Sequence, residues 1–154
     1  MRVFICSLGN ISMAIPIDLI SHIILFNGKT EKAVDYNSEN GNTYFSLPLF
    51  FNYPSEKIKH GIILKSSENS DAGEILKNKT ILLTTEIERE IEIQDEKIFP
   101  VQKTLNHTQF SLLFKGLLFD SENQRMENII LVLNPDYFLL TYQGGTENDK
   151  NADC

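Results

Sequence analysis

Residues 86–93 read Glu-Ile-Glu-Arg-Glu-Ile-Glu-Ile, with a carboxylate at every second position. That period is the period of a β-strand, whose successive side chains leave opposite faces. Ile87, Ile91 and Ile93 point to a core, and Glu86, Glu88, Glu90 and Glu92 line the other side. A calcium or magnesium cage needs ligands that converge, so a flat row of carboxylates is the solvated face of an antiparallel strand. No metal site is expected there.

Further strand-like runs follow along the chain. Val3 to Leu8 and Ile11 to Ile15 predict two strands joined by Gly9-Asn10, a favourable two-residue hairpin connection because both residues tolerate positive φ. Tyr44 to Phe51 predicts a strand with Phe45, Leu47, Leu49 and Phe51 on one face, and Pro48 assigns it to an edge or a bulge. Ile58 to Lys65 and Thr80 to Leu83 supply two more strands. Further on, Phe110, Leu112, Phe114 and Leu118 share one strand face with Gly116 between them, and Ile129 to Leu133 returns as the hairpin partner. Asn134 and Pro135 suit the cap and first position of a short helix. One segment changes period: Ile17, Ile20, Ile23 and Ile24 stand three to four apart behind Pro16, which predicts one or two helical turns. Residues 27–43 read as a polar loop, 66–79 as a joint between halves, 101–109 as a linker and 143–154 as a disordered tail.

Strands at this spacing make the fold class all-β, with paired small barrels as the natural architecture. At 154 residues the chain suffices for one domain, or for two small barrels sharing a core. A formal net charge of −7 argues against tracking a phosphate backbone or an anionic membrane surface. No apolar run reaches the roughly 18 residues needed to span a bilayer, so direct membrane insertion is not expected. The apolar run at Val3-Phe4-Ile5-Cys6 stops at Ser7-Leu8-Gly9-Asn10, short of a secretory signal, and the expected compartment is the cytoplasm. There the two cysteines, Cys6 and Cys154, are reduced thiols. His22, His60 and His107 lie in separate segments, and no nucleophile, phosphate-loop or metal motif accompanies them. The chain reads as a non-enzyme without catalytic residues or cofactor.

The order of these pieces resembles the CheW-like domain family of bacterial chemotaxis. Met13-Ala14-Ile15-Pro16-Ile17-Asp18-Leu19-Ile20-Ser21-His22-Ile23 looks like the family's "YAIPL-x-x-V-x-E-I", and Phe45-Ser46-Leu47-Pro48-Leu49-Phe50-Phe51 like its "PVIDLRxxF" strand. Residues 61–64 and 81–93 are similar to its following aliphatic strands. The closing pattern looks like Ile98-Phe99-Pro100-Val101, Lys115-Gly116-Leu117 and residues 129–139. The likeness covers most of residues 3–140, and its information lies in order and spacing. One departure is plain: the family carries "G-x-x-N-x-R-G" after a proline-rich loop, in a region associated with its partner contacts. Here Asn27 to Thr43 is shortened and has neither proline nor Arg-Gly, only Gly41-Asn42.

The resemblance implies two intertwined five-stranded SH3-like β-barrels with short helical segments. It places the domain over residues 1–142, in halves of about 1–66 and 79–142 with strands exchanged. It implies an adaptor coupling the cytoplasmic tips of chemoreceptors to a CheA-type histidine kinase. The lost Arg-Gly leaves open a structural or self-associating protein outside that array. Docking of either kind needs an apolar surface with a polar rim. The candidates for it are Ile17, Ile20, Ile23, Ile24, Leu49 and Phe50, with Phe50 expected on the face away from the core.

Overall fold

The structure is a computed structural model, and it describes residues 1–28, 30–53, 57–65, 77–100, 112–119 and 129–139. Two β-sheets hold a little over half of them. β1 (Arg2–Leu8) and β2 (Ile11–Pro16) form a hairpin in which Leu8 faces Ile11 across the turn. Of the two turn residues only Gly9 has positive φ, at 58°. A Cβ there would lie 2.4 Å from the Tyr53 ring, so the position excludes a side chain on two counts. β8 (Ile87–Glu92) flanks β1, and β11 (Ile129–Leu133) runs parallel to β2. β10 (Phe114–Phe119) and β9 (Phe99–Pro100) complete a six-stranded sheet of order β8-β1-β2-β11-β10-β9. The second sheet runs β3-β6-β7-β5-β4, from β3 (Ile20–Gly28), β4 (Val34–Tyr36), β5 (Thr43–Ser46), β6 (Ile58–Leu64) and β7 (Thr80–Thr84). The first sheet therefore joins the opening hairpin to late strands, and the second takes the late strand β7 between early ones.

Burial follows this layout. The largest cluster brings Cys6, Leu8, Met13, Phe114 and Leu133 of the first sheet against Phe45, Ile62, Leu64 and Leu82 of the second, with Tyr137 and Phe138 beside them. Each sheet also buries residues in a smaller cluster of its own. One is built on Val3, Ile5, Ala14, Leu118, Ile130 and Val132, the other on Ile58, Ile63, Ile81 and Leu83. Central strands such as β7 are consequently buried along their whole length. β8 keeps the alternation of its sequence: Ile91 and Ile93 pack inward while Glu88, Glu90 and Glu92 stay exposed.

Several expectations change. The strand expected over Tyr44 to Phe51 stops at Ser46, and Leu47–Phe50 forms a short helix, α1. Ser46 Oγ accepts from the Leu49 N–H at 3.4 Å and Pro48 occupies the first turn, where its missing donor costs nothing. The helix expected from Ile17 to Ile24 shrinks to a 3-10 turn, Ile17–Leu19, and the isoleucines from Ile20 onward enter β3. β-branched side chains favour that pleated setting, and Pro16, at ψ 129°, is extended. The polar stretch 27–43 contains β4, which pairs antiparallel with β5. β10 begins at Phe114, whereas Leu112 lies in a helical pair and is 56% exposed. Asn134 holds that junction, its backbone N–H donating to the Leu113 carbonyl and its side-chain amide to that of Leu112. From Phe114 onward the expected face survives: Phe114, Gly116 and Leu118 are buried, Lys115 and Phe119 exposed. Gly116 has no room for a Cβ, which would meet the Phe99 carbonyl oxygen at 2.4 Å. Residues 135–139 are helical, with Pro135 first, as the sequence predicts. Phe110, the 101–109 linker, His107, the 143–154 tail and Cys154 lie outside the described residues.

The β4–β5 connection is held from below by Asn42, which is fully buried. Its Oδ1 accepts from the Lys79 N–H at 2.9 Å, and the Lys79 carbonyl accepts from the Thr43 N–H at 2.9 Å. Asn42 thus sets the register in which β5 and β7 run parallel, starting at Thr43 against Thr80. Asn42→Ala leaves a buried backbone donor without its acceptor. The expected loss is about 1–3 kcal/mol of unfolding free energy, read as a lower urea midpoint, with Asn42→Asp recovering part of it.

Candidate interaction surface

Where the two sheets meet, the tip of the first hairpin and the end of α1 leave a cleft. Leu8 and Ile11 flank the Gly9-Asn10 turn, Met13 follows on the same strand face, and Leu131 lies beside Met13 on β11. Leu113 and Phe114 close it from the start of β10, and Phe51 from the end of α1. The enclosed volume is about 280 Å³, and every lining residue is apolar. Small-molecule sites occupy about 300–1,000 Å³ and carry a few convergent polar groups. This cleft lies at the lower end of that range and has no polar side chain in its lining, and it suits one or two apolar side chains of another protein.

Aromatic rings stiffen its wall. Phe51 and Phe114 stack at 5.5 Å, Phe50 meets Phe51 at 5.2 Å, and Phe138 meets Phe50 at 5.6 Å and Phe45 at 5.0 Å. Most of these contacts are edge-to-face, the arrangement the ring quadrupole favours.

The six candidates named from the sequence do not form one patch. Ile20 and Phe50 pack against the large central cluster, and Phe50 sits within the aromatic group instead of standing on an outer face. Ile24 packs against the smaller cluster of the second sheet. Ile17 and Leu49 are half-buried, and Ile23 is exposed. The seven cleft residues were not singled out by sequence. Each reads as ordinary strand core, and the cleft arises only where the hairpin tip meets α1.

The polar groups look structural. Ser7 Oγ donates to Glu88 at 2.7 Å, Arg2 pairs with Glu90, and Lys59 with Glu86 at 3.4 Å. The acidic row of β8 is therefore answered from neighbouring strands. His22 Nδ1 lies 2.7 Å from Ser21 Oγ on β3, and His60 Nδ1 is buried on β6 with no hydrogen-bond partner. Among the described residues no three His, Cys, Asp or Glu side chains converge as metal ligands would. Nor is any helix among them long and apolar enough to cross a membrane.

Cys6 is buried on β1, and burial pushes its thiol up from 9.0 to about 11; the Thr84 hydroxyl, 3.3 Å from Sγ, opposes that shift and Glu88 adds to it. The unfolded thiol ionises near its ordinary value, whereas the folded one keeps its proton until about pH 11. The contribution to stability is full below the unfolded value and is lost as pH rises towards the folded one. Urea midpoints of wild type should therefore fall relative to Cys6→Ala across that alkaline window. At neutral pH the native Cys6 thiol should resist alkylation and react only on unfolding.

No family model matches this sequence, and no curated protein matches it. Among solved structures, the crystal structure of the scaffolding protein TtCheW from Thermoanaerobacter tengcongensis is similar, with a TM-score of 0.53. Sequence identity is 14%, over 86% of this chain and 83% of that one. At that identity the likeness establishes the fold: a mainly β, CheW-like architecture.

Proposed function

We propose that this chain is a non-enzymatic scaffold of the CheW type, which couples the cytoplasmic tips of chemoreceptors to a CheA-type histidine kinase. The observation that carries the reading is the wholly apolar cleft at the junction of two sheets in a CheW-like fold. An amphipathic partner helix offers apolar side chains of the right size for such a cleft. In this reading the domain occupies residues 1–142 and works in the cytoplasm without cofactor. Pull-down of the regulatory domain of such a kinase, and of a receptor-tip fragment, tests it. Capture of at least one is expected, and capture of neither overturns the proposal.

A second reading, a self-associating CheW-like protein outside the chemotaxis array, is favoured by the β4–β5 connection. There the chain closes on itself, with the Asn37 N–H donating to the Asn42 carbonyl and the Gly41 N–H to that of Asn37. This compact turn occupies the interval where the family carries its Arg-Gly stretch. A stable homo-oligomer combined with failure of both pull-downs selects it.

A further inference from the structure

Four strands end the two sheets, and three of them carry features that discourage another chain from pairing. β8 presents Glu88, Arg89, Glu90 and Glu92. β9 is two residues long and ends in Pro100, which has no N–H to donate. β4 has three residues with Asp35 at its centre. β3 has none of these features. It runs nine residues, Ile20-Ser-His-Ile-Ile-Leu-Phe-Asn-Gly28, without a carboxylate, lysine, arginine or proline. Among the described residues β6 is the strand paired with it. Ile23 and Leu25 project outward from the same face, 37% and 82% exposed.

We infer that the edge of β3 that no described strand pairs joins antiparallel to β3 of a second copy of this chain. Ile23 and Leu25 stand symmetrically about Ile24. A two-fold axis there sets Ile23 opposite Leu25 of the second copy, so the most exposed apolar side chain of β3 gains a cross-strand neighbour twice. Ile24 then opposes itself, and His22 opposes Phe26 of the second copy.

Charge points the same way. Two molecules of net charge −7 repel, and an edge such as β8 would set like carboxylates against one another. The β3 edge carries no charged side chain along its nine residues, so a second copy of it meets no such repulsion. The two five-stranded sheets become one continuous sheet, and the apolar cleft takes no part.

Sedimentation velocity of the full chain over a concentration series tests the inference, with Leu25→Glu and Leu25→Val as variants. Wild type and Leu25→Val should show a monomer–dimer equilibrium. Leu25→Glu should weaken it at least about tenfold, since each dimer receives the change twice. Its urea midpoint should stay at the wild-type value, because the side chain is mostly in solvent. Amide exchange across residues 21–27 should slow as wild-type dimer forms. A wild type that stays monomeric throughout overturns the inference, and so does a dimer that survives Leu25→Glu. Protection of β3 only on adding the kinase regulatory domain or receptor-tip fragment also overturns it, by assigning the edge to another protein's strand. Failure here is distinct from failure of the coupling reading, because kinase or receptor capture is measured separately.

Discussion

Truncating Phe45 to alanine lowers the unfolding free energy by about 3–5 kcal/mol. Phe45 is fully buried on β5, between β7 on one side and β4 on the other. Its ring meets Phe138 edge-on at 5.0 Å and Phe50 at 6.4 Å, so one deletion opens a cavity and removes two aromatic pairs. Neighbouring backbone is pinned by the β5–β7 ladder from Thr43 to Ser46, which limits how far the site can collapse. Domains of ordinary stability hold about 5–15 kcal/mol in total, so the variant should lie near the edge of folding. Phe99→Ala is the comparison. That ring is 58% exposed and its change should cost under about 1 kcal/mol. Urea denaturation of both variants reads the difference, and equal midpoints would remove Phe45 from its place at the centre of the core.

Phe45 also marks how much the sequence reveals. The two-residue period puts it on a buried face, and the same period marks β8, whereas β1, β2, β6, β7 and β11 show as short apolar runs. Burial of one face selects apolar residues at every second position, and burial of both, as in β7, fills every position. The period fails at Leu49, because a proline and a serine cap turn the chain into α1 while the apolar spacing continues. Ile17 to Ile24 shows the reverse ambiguity. Isoleucines three and four apart fit a helix, but the register of β3 against β6 shifts between Ile20 and His22, so the apolar spacing departs from the two-residue period. β4 leaves no signal in the sequence, because three residues with an acid in the middle carry no period at all. Among the candidates for docking, Ile23 on β3 does stand exposed. Phe50 turns inward because the chain there leaves the strand for α1. The cleft itself was not legible. Its lining comes from four separate stretches, and no local pattern marks the point where a hairpin tip and a helix end fail to close.

Placing a carboxylate in that cleft should abolish partner capture. Ile11 is the best position: it lines the cavity, is only half-buried, and stands beside the hairpin turn, where a polar neighbour is already tolerated. Ile11→Asp sets an unpaired charge where a partner's apolar side chain would insert, and the complex must then either desolvate that charge or leave the cleft wet. Apolar anchors in such clefts cost about 2 kcal/mol or more when lost, equivalent to at least about thirtyfold weaker binding. Ile11→Val, which keeps the cleft apolar, should bind as wild type does. Phe99→Ser, a change to an exposed ring away from the cleft lining, should also bind normally. Titration calorimetry against the kinase regulatory domain or receptor-tip fragment, with urea midpoints confirming that each variant is folded, reads the contrast. Undiminished binding by a folded Ile11→Asp protein would move the docking site away from the cleft, whatever the fold resembles.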